Sequence, residues 1–263
     1  MKGARLRVVV AGAGGKMGRA LIEGVLGDAS LALAAALDAR GSPALGTRIG
    51  GIEVGSDIGK AVASGDVLID FTRPEGTVAH LEACARLGKA MVIGTTGIPE
   101  SLTKAVLRAG RKIPIAMSPN FAVGVNAVFK LAEVAAGILG DDFDVEIVEA
   151  HHRNKVDAPS GTALKLGEII ASSLKRDLKK EAKHGREGET GARPANQIGF
   201  HAIRGGDIVG EHTVIFAGTG ERVEITVRSQ SRMTYALGAL RAAKFLRGKR
   251  PGLYDMNDVL GLK

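Results

Sequence analysis

Short apolar runs alternate with helix-spaced segments through the first half of the chain. Nearly continuous apolar stretches at 6–11, 31–37, 67–71, 90–93 and 113–117 read as strands covered on both faces. Between them, Lys16 to Leu26 is closed by Gly27 and Pro74 to Leu87 by Gly88, with proline at a first helical position and glycine just past a last one. This order predicts an α/β fold, a Rossmann-type doubly wound parallel sheet.

After Phe121 the pattern changes. A longer helical stretch at 125–139 precedes segments of strict alternation, and in Arg222-Val223-Glu224-Ile225-Thr226-Val227-Arg228 apolar and polar residues take turns, as a sheet with one wet face requires. Gly205-Gly206 and Thr219-Gly220 stand where hairpin turns would join 197–203, 209–216 and 222–228. The expectation is a second α+β domain with an open mixed sheet, whose exposed face meets either solvent or another subunit. The charged segment 175–193 reads as a solvated helix end and loop, and 234–246 returns to helical periodicity and is free to pack back on the first domain.

Composition narrows the class. Of 263 residues, 45% are hydrophobic and 24% charged, the balance of a globular chain and too apolar for disorder. The single cysteine, Cys84, allows no internal disulfide and no cysteine-built metal site, and its apolar helical setting reads as packing, not nucleophilic chemistry. Lys and Arg outnumber Asp and Glu by 36 to 28, and the resulting +8 suits nucleic acid, an anionic membrane or a small acidic ligand. Seven Phe, two Tyr and no Trp are too few for base-stacking platforms, and no groove-reading motif is visible. No apolar run exceeds strand length, and Met1-Lys2-Gly3-Ala4-Arg5 lacks the apolar stretch of a leader. The reading is a cytoplasmic protein with a small-molecule ligand, and with neither nucleic acid nor membrane as partner.

The chemistry begins where the first strand runs into Gly12-Ala13-Gly14-Gly15-Lys16-Met17-Gly18 and a helix. Gly12 allows the tight turn, Gly15 lets backbone approach a pyrophosphate, and Gly18 lets the helix sit close on the sheet while its first amides face the phosphates. Met17 breaks the strict G-x-G-x-x-G form, so the match is to G-x-x-G-x-x-G. Asp38, twenty residues beyond Gly18, ends the second strand where a carboxylate would hold the adenosine ribose hydroxyls, although an ordinary loop carboxylate is the alternative. An acid there favours NAD, and Lys16 and Arg40 offset its repulsion of a 2′-phosphate. Phe71-Thr72-Arg73 and Gly94-Thr95-Thr96 offer further strand ends of the kind that meet ligands in such sheets.

The densest segment is Glu149-Ala150-His151-His152-Arg153-Asn154-Lys155-Val156-Asp157-Ala158-Pro159-Ser160-Gly161-Thr162-Ala163. Ser160 reads as the N-cap of a helix whose first amides, on Gly161 and Thr162, would receive a carboxylate. His151, His152 and Lys155 lie just upstream, and together they suit an anionic substrate that must gain a proton. A zinc site and a plain basic loop are the competing explanations. Neighbouring histidines on a strand face opposite ways and no third ligand is spaced for zinc, so no metal is expected.

These motifs, with Ile69-Asp70-Phe71-Thr72-Arg73-Pro74 and Val92-Ile93-Gly94-Thr95-Thr96-Gly97, resemble the 4-hydroxy-tetrahydrodipicolinate reductase family, the dihydrodipicolinate reductases of bacterial lysine and diaminopimelate synthesis. The resemblance covers essentially the whole chain and is most specific from Glu149 to Ala163. It implies an NADH- or NADPH-dependent oxidoreductase that adds hydride to C4 of the substrate ring with loss of water. It implies His151 as catalytic proton donor and acceptor, Lys155 as second proton donor, and His152, Gly161 and Thr162 as substrate-carboxylate contacts. It implies cofactor contacts at Gly12, Ala13, Gly14, Gly15, Lys16, Met17, Asp38, Gly94, Thr95, Thr96, Ser118, Pro119, Asn120 and Phe121. It implies a cofactor domain of 1–122 with 232–263, a substrate-binding and oligomerisation domain of 123–231, and a homotetramer. Nicotinamide would lie between Gly94-Thr95-Thr96 and Ser118-Pro119-Asn120-Phe121, with hinges near Phe121 and Ser231. Where family members often carry Arg directly after the second-strand acid, this chain has Ala39 and then Arg40, which implies use of both cofactors with NADH at least as good. Rivals outside the class are a cofactor-sensing, nucleic-acid-binding regulator and a binding subunit without catalysis. Homoserine and aspartate-semialdehyde dehydrogenases are the nearest enzymatic alternative, disfavoured by the missing nucleophilic cysteine and by the His-His-x-x-Lys loop.

Overall fold

The computed structural model describes residues 4–262. Met1, Lys2 and Gly3, part of the stretch read above for a leader, and Lys263 at the end of the expected cofactor domain, lie outside the described residues. The chain divides into two compact units, Met1–Val123 with Arg232–Lys263, and Gly124–Ser231.

The first unit opens with β1 (Leu6–Ala11), α1 (Lys16–Leu26) and β2 (Leu31–Leu37), then a short antiparallel ribbon of β3 (Arg48–Ile49) and β4 (Ile52–Gly55). It continues through α2 (Ile58–Ser64), β5 (Val67–Asp70), α3 (Pro74–Leu87), β6 (Ala90–Ile93), α4 (Glu100–Ala109) and β7 (Pro114–Met117). The apolar runs end where the strands do, because Gly and Pro punctuate them: Gly88 closes α3 in the left-handed conformation at φ +64°.

α5 (Val123–Leu139) leads into the second unit, which holds β8 (Asp144–His151), α6 (Gly161–Ser173), α7 (Leu178–Glu181), β9 (Ala182–His184), β10 (Ile198–Arg204), β11 (Gly210–Ala217) and β12 (Arg222–Ser229). Strand order is β12-β11-β8-β10-β9, mixed in direction. On one face Val145, Ile147, Phe200 and Val214 are buried with Ala163, Leu166 and Ile170 of α6, each large side chain contributing about 1.5–3 kcal/mol. The other face stays open, and Ile203 on it is half exposed.

Two expectations for this half need correction. Thr219-Gly220 does turn a hairpin, β11 with β12, but Gly205-Gly206 does not join β10 to β11, because β8 lies between them and pairs parallel to β10. The Gly205 amide instead donates to the His151 carbonyl at 3.0 Å, and Gly206 accepts from the Arg153 amide at 3.2 Å, so the turn holds the loop leaving β8. Segment 175–193 is not a bare loop: Arg186 and Arg193 converge on Glu146, at 2.7 and 2.8 Å, with His201 at 2.7 Å. Apart from these two, Val123–Asp142 is long and apolar enough to cross a membrane by length and composition alone. It carries an ion pair, Lys130 to Glu133 at 2.9 Å, and one buried stripe through Val128, Phe129, Ala132 and Ala136, while Leu131, Val134 and Ile138 are exposed, the two-faced pattern of an amphipathic helix.

The chain then returns to the first unit as α8 (Met233–Leu246), β13 (Gly252–Tyr254) and α9 (Met256–Leu260). The completed sheet runs β13-β7-β6-β5-β1-β2-β4-β3, parallel throughout except for β3. α8 packs on α1 and on β5, β6 and β7, which buries Ala236, Ala239, Leu240 and Ala243. A second apolar layer on the opposite face gathers Leu81, Cys84, Leu102 and Val106. With helices on both faces, the carboxyl ends of β1, β2, β5, β6 and β7 are where backbone and polar side chains reach a ligand.

Candidate active site

In the first unit the turn after β1 places Gly12 at φ +72°, a conformation open to glycine at no cost. A Cβ on Gly18 would lie 2.0 Å from the Gly12 carbonyl oxygen, so α1 approaches the strand as closely as backbone permits. Gly15 caps α1 with no side-chain hydrogen bond, and no acidic residue occupies its first turn. The helix start therefore keeps its free amides and positive end for an anion, and these residues fit a dinucleotide pyrophosphate. Asp38 follows β2 and is held by two amides, Gly14 N–H to Oδ2 and Ala39 N–H to Oδ1, each at 2.8 Å.

A cavity of about 980 Å³ opens here, lined among others by Gly12, Gly15, Asp38, Arg40, Arg73 and His80. Its floor is ordered by Asp70 at the end of β5, fully buried, which accepts from the Thr72 amide at 2.7 Å and hydroxyl at 2.6 Å and pairs with His80 Nδ1 at 3.0 Å. Burial raises the Asp70 carboxyl, but the hydrogen bond and charge of His80, with the Thr72 bonds, outweigh it and leave it below the usual range. Gly94 follows β6 beside the Phe71 ring. Thr95 shares a hydrogen bond with Thr77 at 2.8 Å, Ser118 donates to the Asn120 carbonyl at 2.8 Å, and Phe121 packs edge-on against Phe71 at 5.6 Å. Ala13 is fully buried and Met17 half-buried against the core, whereas Lys16, Thr96 and Pro119 are exposed. Cys84 is buried, its thiol pushed up to about 12 by burial and then by Asp70, so it is not a nucleophile.

In the second unit His151 ends β8, buried, with Nδ1 2.6 Å from Glu149 Oε2. Glu149, 1% exposed, accepts both nitrogens of the Arg204 fork, at 2.8 and 2.7 Å, and the Ser160 amide at 3.1 Å. Burial pushes the Glu149 carboxyl up, and Arg204 and His151 overcome it, so the group is an anion at neutral pH. Burial lowers the His151 imidazole, Glu149 raises it, and Lys155 and Arg204 lower it; the net is below the ordinary value. Ser160 caps α6, accepting from the Ala163 amide at 3.2 Å, and its hydroxyl meets His212 Nε2 at 3.0 Å. The His212 ring stands edge-on to His151 at 5.1 Å and is depressed to about 4, first by burial and then by His151. Lys155 pairs with Asp157 at 2.8 Å, and His152 Nδ1 is buried without a hydrogen-bond partner among the described residues.

The residues singled out in the sequence thus gather at two places. Gly12, Gly15 and Asp38 share one cavity, with Gly94, Thr95, Ser118 and Phe121 at neighbouring strand ends. His151, Lys155, Ser160 and the α6 start at Gly161 and Thr162 share the other site. Sequence reasoning missed Glu149, Arg204 and His212 as partners of His151 and Ser160. The only local signal was Glu149 two residues before His151, on the same face of a strand. Among the described residues no cluster of metal ligands forms.

A sheet wound this way, with an open helix start behind Gly12, places the chain among dinucleotide-binding oxidoreductases. More narrowly, it belongs to the dihydrodipicolinate reductase family: residues 6–121 match the model for dihydrodipicolinate reductase, N-terminus, and 124–260 that for its C-terminus. It is 58% identical to a 4-hydroxy-tetrahydrodipicolinate reductase of Aromatoleum aromaticum, over 98% of this chain and 96% of the relative. Identity to the enzyme of that name from Cupriavidus necator is 57%, over 98% and 100%. A dipicolinate-bound dihydrodipicolinate reductase from Paenisporosarcina sp. TG-14 superposes with a TM-score of 0.79 at 26% identity, covering 97% of this chain and 98% of that one. Aspartate semialdehyde dehydrogenase II of Vibrio cholerae, at 11% identity and TM-score 0.56 over 93% and 99%, shares the fold alone.

Proposed function

We propose that the chain reduces 4-hydroxy-tetrahydrodipicolinate to tetrahydrodipicolinate with loss of water, using NADH or NADPH, in lysine and diaminopimelate synthesis. The observation that carries this is His151 hung from the anion Glu149, beside Lys155 and an amide-lined helix start. When bound, a nicotinamide cofactor would supply the hydride for C4 of the ring. Reduction of a conjugated imine also consumes one proton, and His151 and Lys155 are its donors. The helix start at Gly161 and Thr162, with His152, binds a substrate carboxylate, which the positive end of the helix dipole favours.

Residues 1–122 with 232–263 form the cofactor half, and 123–231 the substrate and oligomerisation half. Gly12 through Met17 would hold the pyrophosphate and Asp38 the ribose, and Gly94, Thr95, Thr96 and the Ser118-Pro119-Asn120-Phe121 turn would hold the nicotinamide. Asp38, facing a cavity that Arg40 also lines, supports use of both cofactors with NADH at least as good. The open sheet face, with Ile203 half exposed, supports a homotetramer. We further propose that the enzyme is cytoplasmic and has no metal, nucleic acid or membrane as partner.

The test is loss of absorbance at 340 nm when the product of dihydrodipicolinate synthase is added, run separately with NADH and NADPH. Loss with either is expected. No loss with both, in protein that binds NADH, would reject the reading.

A further inference from the structure

Glu149 is the best-connected carboxylate of the second unit's site. Its Oε2 meets His151 Nδ1 and one Arg204 nitrogen, and its Oε1 meets the other Arg204 nitrogen and the Ser160 amide. A buried carboxylate with only a neutral imidazole beside it tends to take up a proton. The Arg204 fork removes that tendency, since two parallel charge-assisted bonds favour the ionised form. An ionised carboxylate can only accept, so His151 must carry its proton on Nδ1. That leaves Nε2 as the nitrogen free to exchange a proton with substrate.

The remaining contacts extend the arrangement. Through the Ser160 amide, the same carboxylate fixes the residue that caps α6. Arg204 also donates to the Asp157 carbonyl at 2.6 Å, in the loop that carries Lys155. His151, the α6 start and the Lys155 loop are therefore all tied to one ion pair.

We propose that Glu149, clamped by Arg204, is the positioning residue of this site: it selects the tautomer of His151 and holds it in register with the start of α6. The proposal rests on His151 as the proton-handling group. The charged and titratable groups facing His151 are Glu149 on β8, Arg204 on β10, His212 on β11, and Lys155 with its partner Asp157 on the loop. Of these, only Glu149 is a directly bonded anion, so it is what keeps His151 protonatable in a buried place.

Two substitutions push His151 further below its ordinary value, whereas loss of packing alone, by admitting water, would raise it. Its titration is followed by NMR in the full-length protein, with the resonance assigned by His151→Gln. In Glu149→Gln the His151 midpoint falls by about 1–3 pH units, and the alkaline limb of kcat falls with it. In Arg204→Met it falls too, because the unclamped carboxylate takes up a proton and no longer holds the imidazolium. Arg204→Lys, which keeps the charge, returns it toward the wild-type value and serves should Arg204→Met misfold. A rise in either Glu149→Gln or Arg204→Met, or no shift in either, overturns the proposal. Full turnover by His151→Gln would instead overturn the functional reading and leave the titrations to be judged alone.

Discussion

Each unit holds a histidine against a buried carboxylate at a strand end, and the two pairs differ in what else the carboxylate touches. Asp70 gives its second oxygen to the amide and hydroxyl of Thr72, whose methyl would lie 3.1 Å from a Cβ at Gly12. The His80–Asp70 pair therefore shapes a loop under the dinucleotide turn. Glu149 faces a guanidinium instead, and its histidine sits near a lysine and the start of α6. On the function proposed above, a carboxylate–imidazole pair is a structural strut in one unit and a proton relay in the other. The difference lies in the third partner: a neutral hydroxyl fixes geometry, whereas a fixed cation holds the anion charged while the imidazole titrates.

Removing both imidazoles in turn tests this most directly. His151→Gln should lower kcat by about 10²–10⁴-fold while NADH affinity, followed by fluorescence titration, stays near wild type. His80→Gln should leave kcat within about threefold, far below that acid–base scale, and should instead lower stability by roughly 1–3 kcal/mol in urea unfolding, since Asp70 loses its buried partner. If the two variants traded phenotypes, the contrast between strut and relay would collapse.

A third carboxylate sharpens the contrast from the stability side. Glu146 is held at about 2, against an ordinary 4.5; burial opposes this, but the bonds from Arg186, Arg193 and His201 prevail. Between those two values the unfolded chain binds the proton more readily, so the stabilisation is present above about pH 4.5 and lost as pH falls toward 2. Glu146→Gln should cost on the order of 2 kcal/mol at pH 7 and little at pH 2, measured by urea unfolding of the second unit at both. An equal cost at both pH values would show that packing, not charge, is lost.

The smallest effect belongs to Asp38. With its carboxylate placed by two amides, Asp38→Asn should move the ratio of kcat/KM for NADPH over NADH upward by about tenfold, the worth of one modest charge interaction. An unchanged ratio would assign ribose recognition to other residues.

Much of the first unit was legible because its signals are local. The stretches 6–11, 31–37 and 90–93 and the helices from Lys16 and Pro74 end where the apolar runs and their Gly and Pro neighbours say they should. Ser160 as a cap was equally readable, since a cap acts within three residues. What escaped was long-range. Arg204 lies 55 residues from Glu149, and the hairpin placed at Gly205-Gly206 failed because β8 inserts between β10 and β11, an arrangement that leaves no mark in either strand's own pattern. Arg186 and Arg193 looked like solvated charges for the same reason: their partner Glu146 is 40 and 47 residues away.

The discontinuity of the first unit has a consequence for biosynthesis. As the chain leaves the ribosome, β7 emerges with one edge uncovered and the β5, β6 and β7 surface without α8, and both wait for Gly252–Tyr254 and Met233–Leu246. The whole second unit must be made in between, and its β8 in turn waits for β10 and β11. A nascent chain halted anywhere before about residue 254 therefore carries an open sheet edge and bare apolar surface, the features that recruit chaperones or seed aggregation.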